Sequence, residues 1–424
     1  MIAAPPTEQL NRDCRCIAVD SPRLARLLEE SGLESGLGAE LVRAHAHLFA
    51  SVPVFISRAQ VGQIEAIVRA VEQVGVTERW RAAALAEAPE IARRCVRARG
   101  VLFGYDFHVG REGPRLIEIN TNAGGALLNV LLARAQQACC AEVRECLAGP
   151  FPLESREQAF VDAFRREWTL ERGAVPLRRI AIVDDAPQTQ FLYPEFVLFR
   201  EAFRRAGFEV SIVAADALEV CDGRLVHAGE PIDLVYNRLT DFYLAAPEHA
   251  ALRETWMAGT VVVTPHPRAH ALLASKHNLV RLSDEAFLRA TGIPDDAVRT
   301  LLAAVPRTVR VRDSAAADLW RDRRRYFFKP AAGYGSKAAY RGDKLTRRAW
   351  TDVLAGDYVA QQIVPPSERT IEVNGRLVPL KLDVRAYAYD GAVQLLASRL
   401  YDGQTTNFRT AGGGFAAVFS ERAV

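Results

Sequence analysis

A run of alternating strand and helix signals over residues 178–265 constrains the fold of this chain more than any other feature. RRIAIVDD (178–185) is typical of a buried strand, PEFVLFREAFRRAG of a helix closed by Gly207, and FEVSIV, IDLVYN and TVVVTP of further strands. Strands that alternate with helices pack as a parallel sheet with helical cover. Asp184 and Asp185 then lie at the carboxyl end of a strand, where such sheets bind ligands. For at least one of them, helix capping is the role that we predict.

The segments before this unit predict helices and then a hairpin. Apolar residues recur at three- and four-residue spacing through residues 21–100, which indicates packed helices. VLFGYDFHV and PRLIEIN are strand-like runs joined by a turn that contains Gly110 and Gly113. GGALLNVLLARAQQACCAEVREC (124–146) predicts one helix with an apolar face, and EQAFVDAFRREW predicts another.

The last hundred residues are strand-rich. YFFKP, AAYRG and YVAQQIV are short strand candidates, and LKLDVRAYAYD with AVQLLASRLY predicts a long hairpin that turns at Asp390-Gly391. RAHALLASKHNLVRLSDEAFLRATG (268–292) predicts the helices that lead to them. A length of 424 residues favours two or three domains.

Composition excludes several classes of function. A net charge of +3 on this length argues against nucleic acid or a membrane surface as the main partner. The longest apolar runs are too short to span a bilayer, and the first residues lack the pattern of a secretory signal. Seven cysteines show neither a disulfide framework nor metal-ligand spacing. We therefore expect a protein of the reducing cytoplasm.

Three polar residues of the predicted first hairpin form a candidate metal site. Glu118 and Asn120 are two apart on a strand and project from the same face, and the hairpin can bring Asp106 beside them. Two carboxylates and an amide oxygen are hard ligands that suit Mg²⁺. A solvated strand face is the alternative that spacing alone leaves open.

A glycine-rich turn over residues 327–337, FFKPAAGYGSK, is a candidate phosphate loop. The backbone N–H groups of such a turn can cradle phosphate oxygens, and Lys329 can reach them. Only five of the 54 basic residues are lysines, so a retained lysine indicates a role for a compact ammonium. The strand–loop–helix P-loop pattern is absent from the sequence, and an ordinary glycine hairpin is the alternative.

Charged residues of the predicted last hairpin form a third candidate group. Asp383, Arg385 and Arg399 lie on its strands, and Asn407 and Arg409 follow them. Arginine is a natural clamp for a phosphoryl group or a carboxylate. Ion pairing across strands at the surface is the alternative for each of them.

Together, these segments resemble the ATP-grasp superfamily of carboxylate–amine ligases. KPAAGYGSK resembles the family's flexible phosphate loop, and YVAQQIV resembles the strand that links its two lobes. LDVRAYAYDGAVQLLASRLYDGQTTNFRTAGGG is similar to the D-x-R, R, N and GG stretch of the peptide-ligase and glutathione-synthetase branch. In that branch an aspartate strand and GP-x-L-x-E-x-N come next, and here YDFHVGREGPRLIEINTNAGG (105–125) matches them.

This order resembles the circular permutation found in the synthetase half of glutathionylspermidine synthetase. The resemblance implies an α/β fold with α+β lobes, in which a permuted ATP-grasp domain accompanies a parallel α/β domain and an N-terminal helical region. The implied divisions are a helical region (1–100), a permuted segment with the metal ligands (101–150), a connection (151–177), the pre-ATP-grasp α/β domain (178–275) and the nucleotide-binding lobes (276–424).

The resemblance also implies roles for individual residues. The residues implied to bind Mg²⁺ are Asp106, Glu118 and Asn120. The residues implied to bind ATP are Lys276, Lys329, Gly333, Gly335, Ser336, Gln362, Ile363, Val364 and Asp383. The residues implied to be catalytic are Arg385, Arg399 and Asn407.

The implied activity is ATP- and Mg²⁺-dependent joining of a small-molecule carboxylate, activated as an acyl phosphate, to an amine with release of ADP. Amino acids, peptides and polyamines are candidate substrates. A phosphotransferase and a non-catalytic ATP-binding module remain alternatives.

Overall fold

The computed structural model describes residues 6–44, 47–139, 141–312, 315–331 and 338–422. The helices are α1 (Thr7–Asp13), α2 (Ser21–Glu30), α3 (Leu37–Ala44), α4 (Arg58–Gly75), α5 (Glu78–Ala86), α6 (Ala126–Arg134), α7 (Ala141–Cys146), α8 (Arg156–Arg172), α9 (Tyr193–Arg205), α10 (Ala250–Ala258), α11 (Pro267–Ala269), α12 (His277–Leu282), α13 (Glu285–Arg289), α14 (Asp295–Ala304), α15 (Ala316–Arg321) and α16 (Arg347–Ala355). A π-helical turn, His270–Ala274, follows α11.

The strands are β1 (Ile17–Val19), β2 (Val54–Phe55), β3 (Phe103–Gly110), β4 (Gly113–Asn120), β5 (Gln136–Ala138), β6 (Leu147–Ala148), β7 (Arg179–Asp184), β8 (Glu209–Ala214), β9 (Glu219–Cys221), β10 (Arg224–His227), β11 (Glu230–Pro231), β12 (Leu234–Asn237), β13 (Val262–Thr264), β14 (Thr308–Arg310), β15 (Tyr326–Pro330), β16 (Tyr340–Arg341), β17 (Tyr358–Gln362), β18 (Ser367–Val373), β19 (Arg376–Tyr389), β20 (Ala392–Tyr401) and β21 (Gly414–Glu421).

The largest sheet joins segments from both ends of the chain. Its order is β2-β21-β20-β19-β3-β4, with β18 added to β19 and β6 added to β21. β3 pairs antiparallel with β19, so a strand near residue 105 lies beside one near residue 385. The β19–β20 hairpin turns at Asp390-Gly391, as predicted, and both residues have the positive φ that this tight turn requires. The candidate acidic and arginine groups therefore lie on neighbouring strands.

The predicted parallel sheet is confirmed. Its order is β13-β12-β7-β8, and each neighbouring pair is parallel. Helix α9 and helix α8 contribute Phe199, Phe203 and Phe164 to the core that packs against it. The apolar strand sequences are explained by this burial, since β7 from Ile180 onward is buried on both faces.

A third, smaller sheet faces the large one. Its order is β14-β17-β15-β16, all antiparallel, and it has its own core around Phe328 and Trp350. The segment that connects β15 to β16 carries Gly333, Gly335 and Ser336, which lie outside the described residues.

The N-terminal region is mainly helical, as predicted, and it packs on the large sheet. Helix α4 starts with a capping box between Ser57 and Gln60, and its apolar face lies in the core beneath the large sheet. Arg369 on β18 is fully buried. It connects the N-terminal region to the large sheet by donating to the carbonyl oxygens of Pro53 (2.8 Å), Asn11 (2.7 Å) and Cys14 (2.7 Å). No helix in the described ranges is long and apolar enough to cross a membrane.

The prediction of one helix over residues 124–146 is wrong. Helix α6 ends at Arg134, and residues 136–138 form β5, which pairs antiparallel with β1. The apolar pattern continues through this stretch, but pairing with the N-terminal segment determines the backbone. This is a tertiary effect that local periodicity does not contain.

Candidate functional site

A cleft separates the large sheet from the small antiparallel sheet. The space among its lining atoms is about 1250 Å³, part of it open to solvent. The lining comes from distant parts of the chain: β3 and β4, Lys276, β15 and residues 339–341, the 361–366 segment, and residues 381–406. The structure thus brings the predicted acidic group and Lys329 to one cleft.

The acidic group is compact. Asp106 on β3 lies directly across the ladder from Glu118 on β4, and Asn120 donates from Nδ2 to Asp106 Oδ2 (2.9 Å) and Glu118 Oε1 (3.2 Å). Burial alone opposes ionisation of Glu118, but the ammonium groups of Lys329 and Lys276 outweigh it and lower the pKa of this carboxyl. Glu118 is therefore an anion at neutral pH.

A β-bulge sets the direction of these side chains. The ladder pairs Asp106 with Glu118 but Phe107 with Leu116, which leaves Ile117 as the extra residue of β4. Because of this bulge, Leu116 is buried in the core while Ile117, Glu118 and Asn120 all line the cleft.

Two arginines hold Asp106. Arg385 is the cross-strand neighbour of Asp106 and forms a bidentate ion pair with it, in which Nε donates to Oδ1 (2.6 Å) and Nη2 donates to Oδ2 (2.7 Å). Arg399 donates to Asp106 Oδ2 (2.7 Å) and to both oxygens of Asp383 (2.8 and 2.9 Å), and Thr406 adds a 2.5 Å hydrogen bond to Asp383. Burial of Asp106 would raise its pKa, but the two guanidinium groups hold that pKa well below its usual range.

Of the two predicted catalytic arginines, Arg399 lines the cleft, whereas Arg385 lies behind Asp106. The space for Arg385 depends on a glycine. A Cβ on Gly104 would lie 3.0 Å from Arg385 Nε and 2.6 Å from the Cβ of Ala123. Gly104 is one of the residues that the sequence interpretation missed.

Lys329 crosses from the small sheet to the large one. Its Nζ donates to the bulged carbonyl of Ile117 (3.1 Å) and to Oε1 of Gln361 (2.9 Å). Burial lowers its pKa from 10.5 to about 8, an effect that Glu118 opposes and Lys276 reinforces. Lys276 also lines the cleft, as expected of the second nucleotide-binding lysine.

The predicted linking strand lies at the cleft wall. Gln362, Ile363 and Val364 all line the cleft. The N–H groups of Gln362 and Ile363 donate to Arg307 (2.8 Å) and Arg325 (2.9 Å) carbonyls. These bonds fix the backbone of the segment.

The carbonyl oxygen of Val364 lies 2.7 Å from Nδ1 of His108. His108 is a second residue that the sequence interpretation missed, although its position two residues after Asp106 on β3 places it on the same face. Burial lowers its pKa.

Asn407, the third predicted catalytic residue, is not among the residues that line the described cleft. Its amide donates to the carbonyl of Asp402 (2.8 Å) and accepts from the N–H of Arg409 (2.9 Å), so it shapes the loop after β20. Thr406, one residue earlier, is the loop residue that reaches Asp383.

The donor set fits a Mg²⁺ ion only in part. Two carboxylates and the side-chain amide of Asn120 converge, but in the described ranges no three His, Cys, Asp or Glu side chains come together as a metal site. Asn120 presents N–H rather than oxygen to the carboxylates, so a rotated amide is needed for coordination. Phosphate oxygens and water would complete the shell, which is how Mg²⁺ is commonly held.

The charge of the site favours an anion. The cations of Lys276, Lys329, Arg385 and Arg399 surround the carboxylates of Asp106, Glu118 and Asp383. Lys381 and Arg341 add two more cations to the lining. A positive excess in a partly enclosed cleft attracts a polyphosphate.

The prediction that Asp184 or Asp185 caps a helix is wrong. Asp184 accepts from the N–H of Asp185 (2.8 Å), and Asp185 lies 2.9 Å from Nε2 of the buried His249. The other ring nitrogen of His249 lies 2.8 Å from Asp241, so the histidine links two loops at the carboxyl edge of the parallel sheet. Burial raises the pKa of Asp184 to about 6, which Arg238 partly offsets.

Comparison with known proteins identifies the fold. Neither a protein-family model nor a curated protein matches the sequence. Among solved structures, a glutathione synthetase-like effector from Globodera pallida in its apo form matches with a TM-score of 0.57 and 11% identity, over 94% of this chain and 97% of that one.

Two further matches have lower scores. A protein named as a γ-glutamylcysteine synthetase from Methylobacillus flagellatus matches with a TM-score of 0.46 and 13% identity, over 85% of this chain and 87% of that one. The ATP-grasp ligase PsnB, solved with a minimal precursor, Mg and ADP, matches with a TM-score of 0.29 and 16% identity, over 57% of this chain and 88% of that one. The chain therefore shares its overall fold with the glutathione synthetase-like effector.

Proposed function

We propose that this protein is an ATP- and Mg²⁺-dependent ligase with a circularly permuted ATP-grasp domain. It would activate a small-molecule carboxylate as an acyl phosphate and join it to an amine. One observation carries the proposal: Asp106, Glu118 and Asn120 of the large sheet face Lys329 of the small sheet across one cleft. The fold shared with a glutathione synthetase-like effector supports it.

The nucleotide would lie between the two sheets. Gln362, Ile363 and Val364 at the cleft wall would contact the adenine, and Lys329 and Lys276 would hold the phosphates. By the resemblance, Gly333, Gly335 and Ser336, which lie outside the described residues, would also bind the phosphates. Asp106, Glu118 and Asn120 would hold Mg²⁺, which supplies charge neutralisation at the phosphate oxygens when bound.

The two arginines would have different roles. Arg399 faces the cleft and would stabilise charge on the transferring phosphoryl group. Arg385 donates to both oxygens of Asp106, so its role would be to hold that carboxylate in position. Asp383 would orient Arg399, and Asn407 would act by shaping its loop.

The reaction would need no protein nucleophile. An oxygen of the substrate carboxylate attacks the terminal phosphorus of ATP, and the bond to the bridging oxygen breaks to release ADP. The amine then attacks the acyl carbon, phosphate leaves, and the amine nitrogen loses a proton. Positioning and preorganised charge would provide the rate acceleration.

The test is phosphate release from ATP and Mg²⁺ with pools of amino acids, peptides and polyamines as substrates. A ligase releases phosphate only with both an acid and an amine, and hydroxylamine traps the acyl phosphate as a hydroxamate. A stable phosphorylated product would point to a phosphotransferase instead. Nucleotide binding without ADP formation in any pool would contradict catalysis.

Variants link the activity to the cleft. Glu118→Gln should abolish phosphate release through the metal, and Lys329→Ala should weaken nucleotide binding. Glu112→Gln is the matched control, since Glu112 lies on the same hairpin with its side chain 84% exposed. If Glu118→Gln retains the activity of Glu112→Gln, the site assignment is wrong.

A further inference from the structure

A second cavity lies on the other side of the segment that leads to Lys276. The space among its lining atoms is about 670 Å³, and it shares no lining residue with the cleft. Three arginines contribute to its wall: Arg81 from α5, Arg99 before β3, and Arg268 from α11.

Two of these arginines lack a neutralising partner. In the described part of the chain, neither Arg81 nor Arg268 forms an ion pair, and Nε of Arg81 is buried without a hydrogen-bond acceptor. Arg268 makes one long hydrogen bond, from Nη1 to the carbonyl of Arg93 (3.3 Å). Burial lowers the pKa of Arg268; Cys95, which also lines the cavity, opposes this effect, and Arg81 reinforces it. Two guanidinium groups that no carboxylate of the described residues neutralises favour an anionic ligand in the cavity that they line.

The other titratable groups do not cancel this charge. Glu72 accepts from the hydroxyl of Tyr105 (2.9 Å), and burial raises its pKa to about 7, so it is only partly ionised at neutral pH. Asp390 pairs with Arg99 at 3.4 Å. Burial lowers the pKa of His266 to about 4, which makes it neutral. The cavity therefore keeps a positive excess.

The floor of the cavity is apolar. Ala269, Leu272 and Leu273 line it. A cavity with cationic walls and an apolar floor suits a ligand that has both an anionic head and an apolar body. Inorganic ions satisfy only the first requirement.

We propose that this cavity binds a small organic anion, a phosphate or carboxylate attached to an apolar group. Arg81 and Arg268 contact the anionic head, and Leu272 and Leu273 contact the body. The site is separate from the cleft and does not depend on the function proposed for it.

The experiment is calorimetric titration with phenyl phosphate, with and without saturating AMP-PNP and Mg²⁺, so that binding in the cleft is told apart from binding in the cavity. Wild-type protein should bind phenyl phosphate more tightly than inorganic phosphate. The double variant Arg81→Gln/Arg268→Gln should lose about tenfold or more in affinity, because two charge-assisted hydrogen bonds are removed. Arg299→Gln, at an exposed position on α14, controls for the loss of a positive charge.

A second variant protects the test against misfolding. Val76 is 47% exposed at the cavity mouth, so Val76→Glu adds a carboxylate there without disturbing the core. It should weaken phenyl phosphate binding as well. Equal affinity in wild type and both variants would overturn the proposal, and equal affinity for phenyl phosphate and inorganic phosphate would overturn its apolar part. These differences report on the cavity whether or not the cleft binds nucleotide.

Discussion

Replacing Lys329 by methionine should make the protein more stable at neutral pH while it impairs nucleotide binding. The pKa of this buried ammonium is lowered from 10.5 to about 8. One pKa unit corresponds to about 1.4 kcal/mol, so the charged form costs about 3 kcal/mol more in the folded protein than in the unfolded chain. Methionine removes this cost at similar length but also removes two hydrogen bonds, worth about 1 kcal/mol each. We expect a net gain of about 1 kcal/mol at pH 7.

The gain in stability of the Lys329→Met variant over the wild type should decrease as the pH rises. Between about pH 8 and 10.5 the unfolded chain binds more protons than the folded protein, so the wild type becomes more stable as the pH rises. The variant lacks this increase. Its advantage should therefore shrink by about 2 kcal/mol between pH 7 and pH 9.5 and become a deficit.

The assay is urea denaturation at both pH values, followed by tryptophan fluorescence, with nucleotide affinity measured by calorimetry. Titrating groups remote from Lys329 contribute equally to both proteins and cancel in the comparison, whereas Glu118 does not, because Lys329 lowers its pKa. Lys344→Met is the control, since Lys344 is exposed in the same lobe. A stability difference between wild type and Lys329→Met that stays constant from pH 7 to 9.5 would refute the assignment of a strained buried ammonium.

Three further predictions concern residues that support the site. Arg385→Met leaves the buried carboxylate of Asp106 without its bidentate partner and should lower the free energy of unfolding by about 3 kcal/mol, measured by urea denaturation. Gly104→Ala places a methyl group 2.6 Å from Ala123 and should reduce phosphate release at saturating ATP while far-ultraviolet circular dichroism stays unchanged. Arg369→Met removes the donors that hold the N-terminal segment, so limited proteolysis should cut that segment first. Unchanged cleavage in the last case would show that the carbonyls find other donors.

The sequence was sufficient for the elements whose signal is local. The strands of the parallel sheet are apolar runs because they are buried on both faces, and the Asp390-Gly391 turn follows from two residues that tolerate positive φ. The same-face placement of Glu118 and Asn120 was also predictable, because strand periodicity fixes it. The strand conformation of residues 136–138 was not predictable, because it depends on pairing with β1.

The interactions within the site were much less predictable. Arg385 and Arg399 were expected to meet a phosphoryl group, yet both bind Asp106, which is 279 and 293 residues away in the chain. Such pairs depend on the register between distant strands, which a single sequence does not encode in its local pattern. The role of Gly104 beside Arg385 follows from the same register and was missed for the same reason, whereas the face of His108 was accessible from strand periodicity.

The bulge at Ile117 has a consequence for how this cleft can change. Leu116 and Glu118 already pair with the consecutive residues Phe107 and Asp106, so deleting Ile117 would leave a regular ladder with every remaining side chain on its present face. The deletion would remove the Ile117 side chain from the cleft wall together with the carbonyl that accepts from Lys329. A change of chain length by a single residue would thus free the lysine from the opposite sheet without altering any acidic or basic residue of the site. The contact between Lys329 and the large sheet therefore depends on the length of β4 and not on the charged residues beside it.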